Sequence, residues 1–214
     1  MWSSEVTNMI ITGIWETLYM TLVSTLVGYV IGLPMGIILT VSDKDGIKPN
    51  AVLYKILDVI ANIVRSVPFI ILLVLLIPFT RLVVGKSYGS TATIVPLVIA
   101  AAPYIARMVE SSLKEVDAGV IEAARSMGAS NFTIITKVML VEARTSLLVG
   151  ATITLGTILG YSAMSGAVGG GGLGAIAIRY GYTRWQTDIM IVTVILFDGC
   201  EGSVRCTWCE DICH

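Results

Sequence analysis

Residues 122–141 read EAARSMGASNFTIITKVMLV, a modestly polar island between long apolar runs. Just before and within it, Val116, Val120, Ala124 and Met127 recur at three- and four-residue steps, the spacing of one helical face. Gly128 can take positive φ and stop that helix. Ser130 or Asn131 can cap a second helix, whose apolar residues are Phe132, Ile135, Val138 and Met139. The pattern predicts helix, glycine turn, helix. At a membrane surface such a hairpin is either a rigid plug for a partner's groove or an ordinary amphipathic connection between two spans.

The flanks make the membrane setting plain. The chain has 214 residues, of which 55% are hydrophobic and 14% charged, with a mean hydropathy of +0.85. A soluble domain carries roughly 25% charged residues. The net charge of -1 and the lack of a basic stripe give no reason to expect nucleic acid as a partner. The N-terminus has neither a basic n-region nor an Ala-x-Ala site, so the first apolar run is expected to remain as an anchor.

Apolar runs at 17–41, 56–84, 91–109 and 144–164 are long enough to span. The first contains Gly28, Gly32 and Gly36, a spacing that lets helices approach closely in lipid; glycines merely tolerated on a lipid-facing helix would look the same. The second is interrupted by Arg65, Ser66, Val67 and Pro68. The arginine belongs either at the interface or against protein. Pro96 and Pro103 are candidate kinks in the third. Lys44, Lys48 and Lys55 mark the first loop, and Lys114, Arg125 and Lys137 the third, with Arg107 and Arg144 at its borders. The second and fourth loops hold only Arg81 and Lys86, and Arg179 and Arg184. This excess predicts that the first and third loops are cytoplasmic and the N-terminus is outside.

Catalytic chemistry finds no support. Gly169, Gly171 and Gly174 satisfy the letters of a dinucleotide fingerprint, but that motif needs a strand before it and a helix after it, and here it follows a membrane run. A flexible re-entrant loop is the physical reading, shielded by protein or water. The sole histidine, His214, is terminal, so no hydrolytic triad can form. No Walker-type Gly-x-x-x-x-Gly-Lys-Ser/Thr is present, no carboxylate pair suggests an acid–base dyad, and no cofactor is expected.

The hairpin stretch resembles the EAA motif of ABC-importer permeases, matching at Glu122, Ala123, Ala124, Gly128, Val138 and Leu140, with Val141 where the motif usually has Pro. Arg65–Phe69 (RSVPF), residues 101–110 (AAPYIARMVE) and residues 166–174 (GAVGGGGLG, ahead of Tyr180, Gly181 and Tyr182) resemble the methionine-importer permeases in particular. The resemblance implies an all-α, five-helix type I importer transmembrane domain over residues 13–197, in the bacterial inner membrane. It implies a homodimer with a pathway on its two-fold axis. Two cytoplasmic ATPase subunits would dock on the hairpins, a substrate-binding lipoprotein would deliver methionine, and membrane lipid would surround the whole. Glu122, Ala123, Ala124 and Gly128 are then the coupling residues. Ser66, Pro68, Tyr161, Ser162 and Met164 are pathway candidates, each also explicable as helix packing. Gly169, Gly171 and Gly174 form a gate loop. A permease for another small amino acid or polar solute is the alternative within the class; a standalone channel or membrane scaffold is the alternative outside it.

The C-terminus departs from this pattern. A fifth apolar run, 188–197, is short for a span, and residues 198–214 read DGCEGSVRCTWCEDICH. All four cysteines, Cys200, Cys206, Cys209 and Cys213, fall there. Loss of the reading frame near Phe197 is the expectation, with the fifth helix truncated. The cysteines and His214 crowd too closely for an ordinary structural zinc site, so no metal is expected, and a disulfide would need an oxidising compartment.

Overall fold

The computed structural model describes residues 4–212, with side chains described for residues 4–202. Every regular element among them is helical. Helix α1 (Ser4–Ser42) begins well before the expected apolar run. Its 39 residues measure about 58 Å at ~1.5 Å per residue, beyond a hydrocarbon core of about 30 Å. Buried Thr17, Thr21 and Thr25 return their hydroxyls to carbonyls one turn back, so polar side chains add no unmet donors to an apolar helix.

The second apolar stretch is three helices: α2 (Ala51–Ser66), α3 (Phe69–Leu75) and α4 (Ile77–Val84). The break falls at Val67 and Pro68, because a residue preceding proline is pushed out of the helical region. Asn50 starts α2 by accepting from the Leu53 amide, and Gly85, at φ 78°, closes α4. Next come α5 (Ser90–Lys114) and α6 (Ala118–Ser126). A second hairpin arm follows: α7 (Asn131–Thr133), a π-helical segment (Ile134–Met139) and α8 (Leu140–Glu142). The chain then continues through α9 (Arg144–Ser165), α10 (Gly172–Ile176), a second π-helical segment (Ala177–Tyr182) and α11 (Thr187–Ile212). By length and hydropathy, α1, α5 and α9 qualify as spans, and α2 with α3 qualifies as one broken span.

The last apolar run stops at Phe197 as read, but the helix does not: α11 continues to Ile212. Its described part carries Asp188, Asp198 and Glu201. Cys200 is a free thiol. The side chains of Cys206, Cys209, Cys213 and His214 lie outside those described, so the zinc and disulfide readings fall outside the described residues.

The chain divides into two compact units. One comprises Met1–Val27, Val67–Ala101 and Leu155–His214; Met20, Leu97, Ile158 and Leu173 are fully buried in it. The other comprises Gly28–Ser66 and Ala102–Thr154 and includes the whole hairpin, with Leu39, Ile105, Val109 and Ile134 at its centre. In this second unit the glycine spacing of α1 resolves as contact. A Cβ on Gly32 would lie 2.7 Å from the Ala102 carbonyl oxygen, and one on Gly36 2.6 Å from that of Ala106. The two helices pack backbone to backbone there, as small residues in membranes allow.

Candidate functional site

The hairpin folds as its sequence directs. Asp117 caps α6 by accepting from the Gly119 amide at 2.6 Å. At the other end the Gly128 amide donates to Arg125 and the Ala129 amide to Ala124, at 3.0 and 3.1 Å. Gly128 itself sits at φ 80°. This is the left-handed closure that satisfies a helix's last carbonyls. Ser130, not Asn131, caps the second arm, accepting from the Thr133 amide at 3.3 Å.

The buried faces differ from the simple periodic reading. Ala124 is buried as expected, but Met127 and Phe132 are 82% and 76% exposed, flanking the turn. Met139 is buried as expected, but so is Ile134, while Ile135 and Val138 are only half-buried. The second arm passes at Ile134–Met139 into a π-helical segment, which adds a residue to the turn and shifts the register after it. Glu122 and Ala123 are exposed beside Met127. The tip therefore offers an apolar pair, a small residue and a carboxylate on a rigid, well-capped turn.

Beneath the tip, the hairpin is held by the first loop and by charges that sequence reading passed over. Arg125 donates to the Ile47 carbonyl at 3.3 Å. A cavity of about 510 Å³ lies between loop and hairpin, lined by Asp43, Asp45, Glu122 and Arg125 among others. Lys114 pairs with Asp43 at 2.7 Å, and its ammonium hydrogen bond holds the Asp43 carboxyl below the usual carboxylate range. Glu110, 4% exposed, accepts from Arg107, Lys114 and Tyr54. The only signal for this network in the sequence is the crowding of Arg107, Glu110 and Lys114 at three- and four-residue steps on one helix.

The glycine-rich turn lies in the other unit, and it is closely packed. A Cβ on Gly174 would meet the Ala163 carbonyl oxygen at 2.3 Å, and one on Gly166 the Ala175 amide nitrogen at the same distance. Gly169 and Gly171 take φ of 84°. Glu16 accepts from the Gly172 amide at 2.7 Å, and Thr17 from the Leu173 amide at 2.9 Å. Glu16 is a carboxylate of α1 that the sequence reading missed; it stands one residue before the apolar run began.

Among the pathway candidates, Tyr161 stacks on Phe69 with ring centroids 4.5 Å apart. Met164 is half exposed, and Ser162 is buried with its hydroxyl on the Leu159 carbonyl. Pro68 and Ser66 are exposed, the serine bonded to the Asn62 carbonyl. Ser66 belongs to the hairpin's unit and the other four to its neighbour. Among the described residues no cluster of His, Cys, Asp and Glu could hold a metal.

An all-helical chain with a capped EAA-type hairpin between apolar spans has the type I ABC-importer transmembrane fold, and the comparisons place it there. The chain belongs to the family described as "Binding-protein-dependent transport system inner membrane component", which matches residues 28–197. It is 49% identical over 195 residues, 91% of this chain and 87% of the relative, to the "Probable D-methionine transport system permease protein MetI" of Vibrio cholerae serotype O1. It is 53% identical over 158 residues, 74% of this chain and 73% of the relative, to the "D-methionine transport system permease protein MetI" of Escherichia coli K12. A solved structure described as "Inward facing conformations of the MetNI methionine ABC transporter" superposes with a TM-score of 0.97 at 48% identity, covering 99% of this chain and 98% of that one.

Proposed function

We propose that this chain is the inner-membrane permease subunit of an ATP-driven importer of methionine. It works as one of two copies and receives its driving force from a cytoplasmic ATPase seated on the hairpin. The observation that carries the reading is the hairpin tip. Met127 and Phe132 are exposed at a turn too well capped to be slack, which suits a surface kept for a partner. Glu122 offers that partner a charge, Ala123 allows close approach, and Gly128 supplies the dihedral. The basic residues of the first and third loops support a cytoplasmic hairpin and an N-terminus outside. Methionine as cargo is supported by the printed names of relatives near 50% identity.

The mechanism follows as alternating access. ATP binding closes the ATPase pair and draws the hairpins together, the pathway opens outward, and hydrolysis resets it. Gly169, Gly171 and Gly174 are the gate-loop candidates of this cycle. Residues 13–197 are the transporter domain in this reading, and the family match, which ends at Phe197 where the apolar run ends, supports treating 198–214 as a separate, aberrant tail.

The test is uptake of labelled methionine into proteoliposomes holding the permease, its ATPase and a binding protein. Uptake should require ATP and be competed by methionine above other amino acids. Flux indifferent to ATP would favour a channel. Equal competition by another amino acid would move the substrate assignment.

A further inference from the structure

Five charged side chains form one alternating chain at the base of the hairpin: Asp43, Lys114, Glu110, Arg107 and Asp58. Asp43 Oδ2 is 2.7 Å from Lys114 Nζ, which is 2.9 Å from Glu110 Oε1. Glu110 Oε2 accepts from Arg107 Nη1 at 2.7 Å. Arg107 Nη2 pairs with Asp58 and donates to Asn62 Oδ1 at 3.1 Å. The Tyr54 hydroxyl adds a bond to Glu110 Oε1 at 3.2 Å. The chain thus runs from the residue after α1, across α5, to the middle of α2. Glu110 is its centre, with both oxygens engaged and a side chain 5% exposed.

Bulk stability does not account for this arrangement. Partly exposed ion pairs contribute little, and for the one buried member, Glu110, an apolar residue of similar volume would often do as well. What paired charges supply is a fixed register between elements. Here the elements are those that share the hairpin's compact unit, and α5 leads into α6 through only residues 115–117.

We propose that Glu110 is a positioning residue for energy coupling: it locks α2 and the end of α1 to the hairpin, so that a displacement of the hairpin carries both with it. This rests on the importer reading above, and the experiment separates the two. Glu110→Gln keeps the shape and removes the charge. In the reconstituted transporter, the variant should still co-purify with the ATPase and hydrolyse ATP, while labelled L-methionine imported per ATP falls by roughly fivefold or more, the low end of ordinary coupling between sites. A merely structural role would lower assembly, hydrolysis and import together and overturn the proposal.

If Glu110→Gln does not fold, Asp43→Asn, at the partly exposed end of the chain, should lower the same ratio by a smaller factor. An unchanged ratio there is equally fatal. A second readout needs no import. With the native cysteines replaced by serine, spin labels on Lys55→Cys and Lys137→Cys should keep one distance with and without ATP, and Glu110→Gln should broaden that distribution. A broad distribution in the parent protein sinks the proposal, whereas failure of the parent to import methionine, with the distance kept, sinks only the substrate reading.

Discussion

At Gly128 the backbone is left-handed, with φ 80°, and a Cβ would meet nothing within 4 Å. At Gly174 the dihedral lies outside the left-handed region and a Cβ would sit 2.3 Å from the Ala163 carbonyl oxygen. The hairpin uses glycine for its torsion, and the turn after α9 uses it for its missing volume. The first need is local and exposed, so other residues can approximate it. The second is tertiary and buried against main chain, which cannot step aside. A glycine-rich run can thus be a tight joint, while a lone glycine marks the freer backbone.

Substitution separates the two needs. Gly174→Ala should have the largest effect, about 3 kcal/mol or more, because the added methyl meets backbone rather than a mobile side chain. It should appear as loss of monodisperse protein on size exclusion in detergent; a normal yield with a normal melting temperature would show that the turn has slack. Gly128→Ala should cost about 1 kcal/mol for its left-handed torsion, and Gly128→Asn less, since a short polar side chain tolerates that region. Thermal melts and co-purification of the ATPase would rank them. If alanine and asparagine behave alike, torsion is not what Gly128 supplies. Ser130→Ala should be mildest, about 0.5 kcal/mol, the low end for a lost cap. Faster hydrogen exchange at the Thr133 amide, with unchanged exchange in α5, would localise it to the hairpin.

The parts legible in the sequence were those fixed by near neighbours. The turn at Gly128 and a cap at Ser130 or Asn131 each depend on a few adjacent residues; the turn stands where the pattern put it, and the structure chooses Ser130. The spans were legible because hydropathy is additive along a run. The inward face of the second hairpin arm was legible at Met139 but not at Ile134, where the chain enters a π-helical segment that period counting does not foresee. The charge chain was hidden for another reason. Arg107 and Asp58 are 49 residues apart, and nothing local to either names the other. The glycine turn reads as slack by composition, but Gly166 and Gly174 pack on the main chain of Ala175 and Ala163, and Glu16 and Thr17 of α1 bond its amides.

The Glu16 contact has a consequence for how the protein is made. The carboxylate lies in α1, and the Gly172 amide that answers it is synthesised 156 residues later. At about 5–20 residues per second, synthesis of the intervening chain takes roughly 8–30 s. Through that interval the carboxylate lacks the Gly172 partner it has in the folded protein. α1 is therefore made well before it can be completed, and its final docking depends on the glycine turn having been synthesised and folded.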